Sequence, residues 1–130
     1  MIEFHLDTRS GVPTYLQLVQ QVRQAVRLGI LKPGDQLPTV KEVVGSLAIN
    51  ANTVLKAYRD LDREGLVEGR RGLGTFVSSQ LPPRSPDELK ELRASLRRWV
   101  ERARAAGLDE EALTALFADT VRPAVASRAA

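Results

Sequence analysis

A group of short polar side chains lies at the start of an amphipathic segment in the middle of the sequence. Asn50, Asn52 and Thr53 open this segment. Its apolar side chains then recur at helical spacing: Val54, Ala57, Tyr58 and Leu61. If that stripe is buried, the opposite helix face is free to enter a major groove, where asparagine can form two hydrogen bonds with adenine. The alternative interpretation is that Asn50 and Thr53 only cap a helix.

Two adjacent arginines form a second group of interest. Arg70 and Arg71 lie between glycines, in a turn that joins two strand-like stretches at 66–68 and 75–78. Cations on a compact, glycine-flanked tip can approach phosphates or a minor groove. A polar turn of this kind is also common on solvated surfaces, so the two charges alone leave both interpretations open.

Residue types that drive acyl transfer or bind metals are scarce. The sequence has no cysteine and one histidine, His5, which excludes disulfides, thiolate nucleophiles and a histidine-based metal cage within one subunit. Gly72-Leu73-Gly74 is a fragment of a phosphate-binding loop without the rest of that motif. We therefore expect a protein that is not an enzyme and has no catalytic residue, cofactor or metal site.

The charge balance is only mildly basic. The 130 residues include 19 Lys+Arg and 16 Asp+Glu, for a net charge of +3. Residues 1–80 hold 10 cations and 8 anions, and residues 81–130 hold 9 and 8, so position rather than net charge must identify any binding face. No apolar run has the length of a membrane span, and the N-terminus lacks the apolar core of a signal peptide. We expect a soluble, cytoplasmic protein without a membrane partner.

The elements that must position these groups follow from periodicity and from end signals. Ile2, Phe4 and Leu6 alternate with polar residues, which predicts a short strand or an extended arm. A first helix begins near Pro13, because proline suits the first turn of a helix. The composition of 31–35 then predicts a turn.

Two further helices and a hairpin complete the first part of the chain. Thr39 and Glu42 have the spacing of a capping box, which predicts the start of a short second helix. The third helix begins after Asn50 and ends at Gly65, ahead of the hairpin. Helix, short helix, tight turn, helix and hairpin is the order of a winged helix-turn-helix domain, which we assign to residues 1–79.

The last part of the chain predicts a separate helical module. A Pro-rich linker occupies 80–86, and two helices follow within 87–130, the second ending at Pro123. Their apolar residues form a seam: Leu89, Leu92, Leu96, Trp99 and Ala103, then Leu113, Leu116 and Phe117. This seam is too apolar for a solitary exposed helix, so we predict that a second copy of the chain covers it. The alternative is that both helices pack on the winged helix of their own chain.

Three stretches of the first part resemble the DNA-binding domain of the GntR family of bacterial transcription regulators. They are GILKPGDQLPTVKE at 29–42, INANTVLKAYRDLDREGLV at 49–67 and RRGLGTFV at 70–77, and the resemblance extends over residues 9–78. It implies a mainly α fold with a small β-hairpin that binds double-stranded operator DNA. The short two-helix tail is similar to that of the YtrA-type branch of the family, in which such a pair of helices is a dimerisation element.

The resemblance implies DNA contacts from the second helix, the third helix and the wing. The candidate residues are Thr39, Lys41, Asn50, Ala51, Asn52, Thr53, Lys56, Arg70, Arg71 and Gly72. Lys41 occupies the position of a basic residue that the family places on a phosphate or a guanine. Gly72 lies at the tip that the family places in the minor groove.

The sequence departs from the family at two positions where basic residues are common. Leu55 is one of them, so Lys56 is expected to supply that backbone contact. Leu73 is the other, which leaves the wing charge to the two arginines before it. We predict a sequence-specific transcription regulator, a repressor, that binds a palindromic operator as a homodimer, with no effector assigned. The alternative is a winged-helix module that contacts protein or RNA without operator specificity.

Overall fold

The computed structural model describes residues 2–82 and 86–129. The chain divides into two compact units, Met1–Pro86 and Asp87–Ala130. Its elements, in chain order, are α1 (Thr14–Arg27), α2 (Val40–Leu47), α3 (Ala51–Arg63), β1 (Val67–Arg70), β2 (Gly74–Val77), α4 (Pro86–Ala105) and α5 (Glu110–Ala129). The prediction of a mainly α fold with a small β-hairpin is confirmed. Among the helices of the described ranges, none combines the length and the apolar composition of a membrane span.

The core of the first unit lies where α1 and α3 pack against each other and against the hairpin. The innermost side chains come from all three: Leu18 and Val22 of α1, Val54 and Leu61 of α3, and Val77 of β2. The predicted apolar stripe of α3 is confirmed, since its four members are all buried. A buried stripe on one side of a helix directs the other side to solvent, which is what a groove-binding helix requires.

Local side-chain caps define the starts of α2 and α3. The Thr39 hydroxyl accepts the amide N–H of Glu42 at 3.1 Å, and the Glu42 carboxylate accepts the amide N–H of Thr39 at 3.4 Å, so the predicted capping box is present. Asn50 Oδ1 accepts the amide N–H of Asn52 at 2.8 Å at the start of α3. Between them, Ala48 ends α2 in the left-handed region at φ 55°, which produces the tight turn of the motif.

The hairpin is antiparallel and pairs Val67 with Val77 and Arg70 with Gly74. Its strands differ from the predicted ones, because pairing continues to Arg70, which therefore lies at the end of β1 and not in the turn. The segment predicted as a turn at 31–35 continues into an extended stretch that pairs with β2. Leu37 N donates to Thr75 O at 2.8 Å, and Val77 N donates to Asp35 O at 2.7 Å.

The N-terminal segment is an extended arm on α1, and its described residues belong to neither strand of the sheet. Phe4 is buried in the core, while two glutamines of α1 pair with the arm backbone. Gln21 accepts from His5 N at 3.0 Å and donates to His5 O at 2.6 Å. Gln17 accepts from Asp7 N at 2.8 Å and donates to Asp7 O at 3.0 Å. The two glutamines lie about one helical turn apart, and this distance matches the spacing of two residues in an extended chain.

The second unit consists of α4, a short turn and α5. Gly107 ends the first of these helices at φ 97°, and Leu108 N donates back to Ala103 O at 3.1 Å. Asp109 Oδ1 then accepts Ala112 N at 2.9 Å and caps α5. The predicted end of this helix at Pro123 is wrong, because the Ala-rich sequence beyond the proline favours helix and the proline removes a single backbone donor. Residues 83–85 of the predicted linker lie outside the described residues.

Candidate nucleic-acid interface

The outward face of α3 carries a polar and cationic stripe. Asn52, Lys56 and Arg59 are all exposed, and they lie opposite the buried side formed by Val54 and Leu61. Their spacing of four and then three residues places them on one face of the helix. Arg59 is a candidate that the sequence analysis missed, although its seven-residue spacing from Asn52 already indicated the shared face.

The first turn of α3 divides its candidate residues into two groups. Asn50 Oδ1 is committed to the helix cap, so only the amide NH2 of this side chain can donate to a ligand. Thr53 is half-buried, and its backbone N–H donates to Asn50 O at 3.0 Å. Ala51 and Asn52 are exposed. The backbone N–H of Asn52 belongs to the cap, whereas its exposed side-chain amide makes no hydrogen bond within the part of the chain that the structure describes. Both hydrogen-bonding functions of this amide are therefore available to a ligand.

At the start of α2, the Glu42 carboxylate lies beside Thr39, one of the candidate DNA contacts. The Thr39 hydroxyl donates to the Glu42 carboxylate at 3.0 Å while it accepts the Glu42 amide. Because that carboxylate repels a phosphate, the geometry favours the capping role of Thr39. Lys41 is exposed in the first turn of the same helix and carries the positive charge there.

Lys56 rests on an aromatic ring of the neighbouring helix. Its Nζ lies 3.9 Å from the centroid of the Tyr15 ring, within the range of a cation–π interaction. Tyr15 belongs to α1, so this contact joins the outward face of α3 to the first helix. The contact restricts the lysine side chain and lowers the entropy lost when the ammonium group binds an anion.

The β1–β2 hairpin is the wing of the domain, and its two arginines have different surroundings. The Arg70 guanidinium lies 4.3 Å from the Phe76 ring centroid and 3.0 Å from the Glu68 carboxylate. Arg71 is exposed in the turn itself, next to Gly72 at φ 77°. This positive φ suits glycine at the third position of a turn closed by the hydrogen bond from Leu73 N to Arg70 O. Arg71 is therefore the cation at the tip.

The wing tip is tied to the segment before α2 through Gln36. Gln36 Nε2 donates to Leu73 O at 3.2 Å, and Gln36 pairs with Phe76 as an isolated bridge. Gly74 has φ 124°, and a Cβ there would lie 2.9 Å from Gln36 Nε2. Leu73, at the tip, is 66% exposed. These contacts hold the wing in one position relative to the rest of the domain.

A buried tyrosine ties α3 to the residues before α2. The Tyr58 hydroxyl donates to Pro38 O at 2.6 Å. Burial, and to a smaller extent the negative charge of Glu42, raises the pKa of Tyr58 above its usual value. The fold therefore favours the neutral phenol, whose hydroxyl joins α3 to the segment that leads into α2.

Comparison with known proteins agrees with this geometry. The family model of bacterial regulatory proteins, gntR family, matches residues 14–77, which contain α1 to β2. The transcriptional repressor YtrA of Bacillus subtilis is 38% identical over 109 residues, and the match covers 83% of this chain and 84% of that protein. The chain belongs to the GntR family. Since the members compared are transcription regulators, the prediction that this chain is a regulator and not an enzyme is confirmed.

Solved structures of similar proteins also match this GntR-family chain. A transcriptional antiterminator from Listeria monocytogenes has a TM-score of 0.60 at 30% identity, and the match covers 92% of this chain and 90% of that one. The DNA-binding domain of AraR, solved in complex with an operator, has a TM-score of 0.52 at 26% identity over 59% of this chain and 96% of that one.

In the second unit of this GntR-family chain, some side chains of the predicted apolar seam are buried and others are exposed. Leu113 is buried, and Leu89, Trp99 and Ala103 are half-buried. The remaining members are exposed: Leu92, Leu96, Leu116 and Phe117, together with Val121. Large apolar side chains are therefore concentrated on the surface of a unit that has only two helices.

Proposed function

We propose that this GntR-family regulator is a repressor that binds a palindromic operator as a homodimer, with α3 in the major groove. The observation that carries the proposal is the outward face of α3, where exposed Asn52 is followed by Lys56 and Arg59 on a helix whose other side is buried. An amide that pairs with adenine supplies specificity, and the cations supply the salt-dependent affinity for phosphates.

The other candidate residues receive supporting roles. Thr53 and Ala51 border Asn52 in the first turn and adjoin the base edges, while the amide NH2 of Asn50 donates to a nearby phosphate. Thr39 caps α2 and positions Lys41, which pairs with a phosphate. At the wing, Arg71 and Gly72 enter the minor groove, and Arg70 supports them from β1 through its stacking on Phe76.

The homodimer is proposed from the exposed apolar side chains of the second unit. α4 and α5 each have 20 residues, a length of about 30 Å. Leu92 is 66% exposed, and Leu96, Leu116 and Phe117 are also exposed. A second copy that buries these side chains stabilises the assembly through the hydrophobic effect. Two winged helices related by a dyad then require two half-sites, which doubles the length of DNA that is recognised.

The experiment that tests this function is selection of DNA ligands from a random-sequence duplex pool by the intact chain. A symmetric motif with two half-sites is expected, and DNase protection of the region upstream of the chain's own gene should cover the same motif. The preference for this motif over random DNA is then compared between two variants. Asn52→Ala should reduce the preference, whereas Gln20→Ala, which removes an exposed amide from α1, should leave it unchanged. Recovery of no motif, together with binding to a single-stranded RNA pool, would replace the proposal with the alternative of RNA contact.

A regulator of this kind acts where the chromosome is, so we place it in the cytoplasm. The roles proposed above need no cofactor, and a small-molecule effector is not assigned. Among residues 2–82 and 86–129, the structure shows no cluster of acidic residues and histidine that could hold a metal ion.

A further inference from the structure

The outward face of α3 also contains two neighbouring apolar side chains. Leu55 is 43% exposed, and it is not among the residues that form or border the core of the first unit, as far as the structure describes them. Ala51 is exposed one turn earlier, so the two are i and i+4 neighbours on the helix surface. A single exposed leucine is common in proteins, but this one lies within a face that carries Asn52.

The arrangement around Asn52 is asymmetric. At about 100° per residue, Leu55 lies about 60° from Asn52 around the helix axis, on the side of Ala51. Lys56 lies about 40° from Asn52 in the opposite direction, and its ammonium group rests on the Tyr15 ring of α1. In the first two turns of α3, Asn52 therefore has the apolar pair on one side and Lys56 on the other. Arg59 lies about 20° from Asn52 on the side of the apolar pair, one turn after Leu55, and its Nε donates to Leu55 O at 3.4 Å.

The major groove has one apolar feature that such a flank fits. The exposed edges of guanine, cytosine and adenine present donors and acceptors, whereas thymine also presents its C5-methyl group. A leucine placed over an amino or carbonyl group of a base removes water without providing a hydrogen bond, which is unfavourable. Placed over the thymine methyl group, the same side chain removes only apolar surface from water.

We infer that Leu55, with Ala51 beside it, recognises a thymine methyl group next to the base contacted by Asn52. This inference rests on the proposed function, since it requires α3 to lie in a major groove. Leu55 then acts as a specificity-determining residue. Each half-site contains a thymine whose methyl group contributes to affinity.

Uracil substitution tests the inference because it removes the methyl group and preserves every hydrogen bond of the base pair. The probe is the duplex recovered from the random pool, with each thymine replaced in turn by deoxyuridine. We expect one thymine per half-site at which uracil weakens binding about fourfold. This factor corresponds to the loss of about 0.8 kcal/mol for one buried methyl-sized group. Leu55→Ala should bind the thymine and uracil duplexes equally, and Leu55→Met should retain most of the difference.

Ile30→Ala is the matched control, because Ile30 is an exposed aliphatic residue outside α3. This variant should keep the full uracil sensitivity, and thermal melting should show that all variants are folded. If a motif is recovered but no thymine in it shows a uracil effect that Leu55→Ala abolishes, the inference is overturned while the proposed function stands. Failure to recover any duplex motif overturns both.

Discussion

At the scale of single residues, the cations of the candidate interface differ in what surrounds them. Lys56 rests on the Tyr15 ring, and Arg70 lies between the Phe76 ring and the Glu68 carboxylate. Both side chains are restrained before any ligand binds, which reduces the ordering cost of binding. Arg70 must, however, share its charge with Glu68, so its net attraction for a phosphate is smaller than that of Arg71.

The first prediction concerns specificity at Asn52. Asn52→Ala should reduce the ratio of operator to random-DNA affinity by about 1–3 kcal/mol, because a bidentate base contact is lost. Paired binding titrations with the selected duplex and with a scrambled duplex measure this ratio. Gln20→Ala should leave it unchanged. An unaltered ratio for Asn52→Ala would exclude this side chain from base recognition.

The second prediction separates the two wing arginines. Arg71→Ala should lower the slope of log K against log salt concentration by about 1, because a cation in the minor groove neutralises the phosphates that border it and its loss removes one such charge. Arg70→Ala should lower it by less, because Glu68 already neutralises part of that charge. Binding titrations over a series of salt concentrations measure both slopes, with Arg27→Ala of α1 as the control. A larger effect at Arg70 would contradict the assignment of the tip to Arg71.

At the scale of elements, the geometry of the helix-turn-helix depends on contacts between segments. The Tyr58 hydroxyl joins α3 to Pro38, the Gln36 side chain joins the wing to the same segment, and the arm is paired with α1. These contacts hold α3 and the wing in fixed relative positions within the first unit. A loss of one contact therefore affects stability first and DNA binding second.

The third prediction is a stability change at alkaline pH that depends on Tyr58. Its pKa is raised in the folded state by burial and by Glu42, so the fold favours the neutral phenol. The resulting stabilisation is complete below the ordinary tyrosine pKa of about 10. Above it, the free energy of unfolding falls by up to about 1.4 kcal/mol per pH unit. Urea unfolding of the chain and of Tyr58→Phe at pH 8 to 11 measures the difference.

Tyr58→Phe also loses the buried hydrogen bond to Pro38, at a cost of about 1–2 kcal/mol at neutral pH. The two proteins should therefore converge in stability as the pH rises. Parallel curves at all pH values would show that the phenol does not couple to folding. Tyr15→Phe provides the comparison with a tyrosine on α1 that is only half-buried.

At the scale of the whole molecule, the exposed seam of the second unit determines the expected assembly. Neither 20-residue helix covers the apolar side chains of the other completely, since Leu92, Leu96 and Phe117 are exposed. An exposed apolar surface of this kind is typical of an interface. The symmetry of a homodimer would in turn require symmetry in the DNA sequence that it binds.

The fourth prediction is that Leu96→Asp separates the proposed homodimer. An unpaired carboxylate in a buried interface costs several kcal/mol, so the variant should sediment as a monomer and bind a single half-site weakly. Arg98→Asp introduces the same carboxylate at an exposed position on the face of α4 opposite the seam and should remain dimeric. Sedimentation of the unmodified chain as a monomer with full operator affinity would contradict the dimer. If Leu96→Asp stays dimeric, the interface lies elsewhere.

Helix starts and helix faces were determined by the sequence alone, because they depend on residues close together in the chain. The Thr39–Glu42 capping box, the Asn50 cap and the buried stripe containing Val54 and Leu61 all appear as predicted. Each of these features depends on interactions between residues a few positions apart or on the helical period, and a single sequence contains that information. The candidate positions in the first turn of α3 followed from the same local signals.

The tertiary structure alone decided which candidates are committed to contacts within the protein. The bridge from Gln36 to Phe76, the stacking of Arg70 on that ring and the contact of Lys56 with Tyr15 all join residues that belong to separate elements or are distant in the chain. Such contacts depend on how the elements pack, so periodicity does not indicate them. Hence the sequence determined the face that α3 presents, whereas packing decided that Lys56 and Arg70 are in contact with neighbouring side chains and that Arg71 is the exposed cation in the turn of the hairpin.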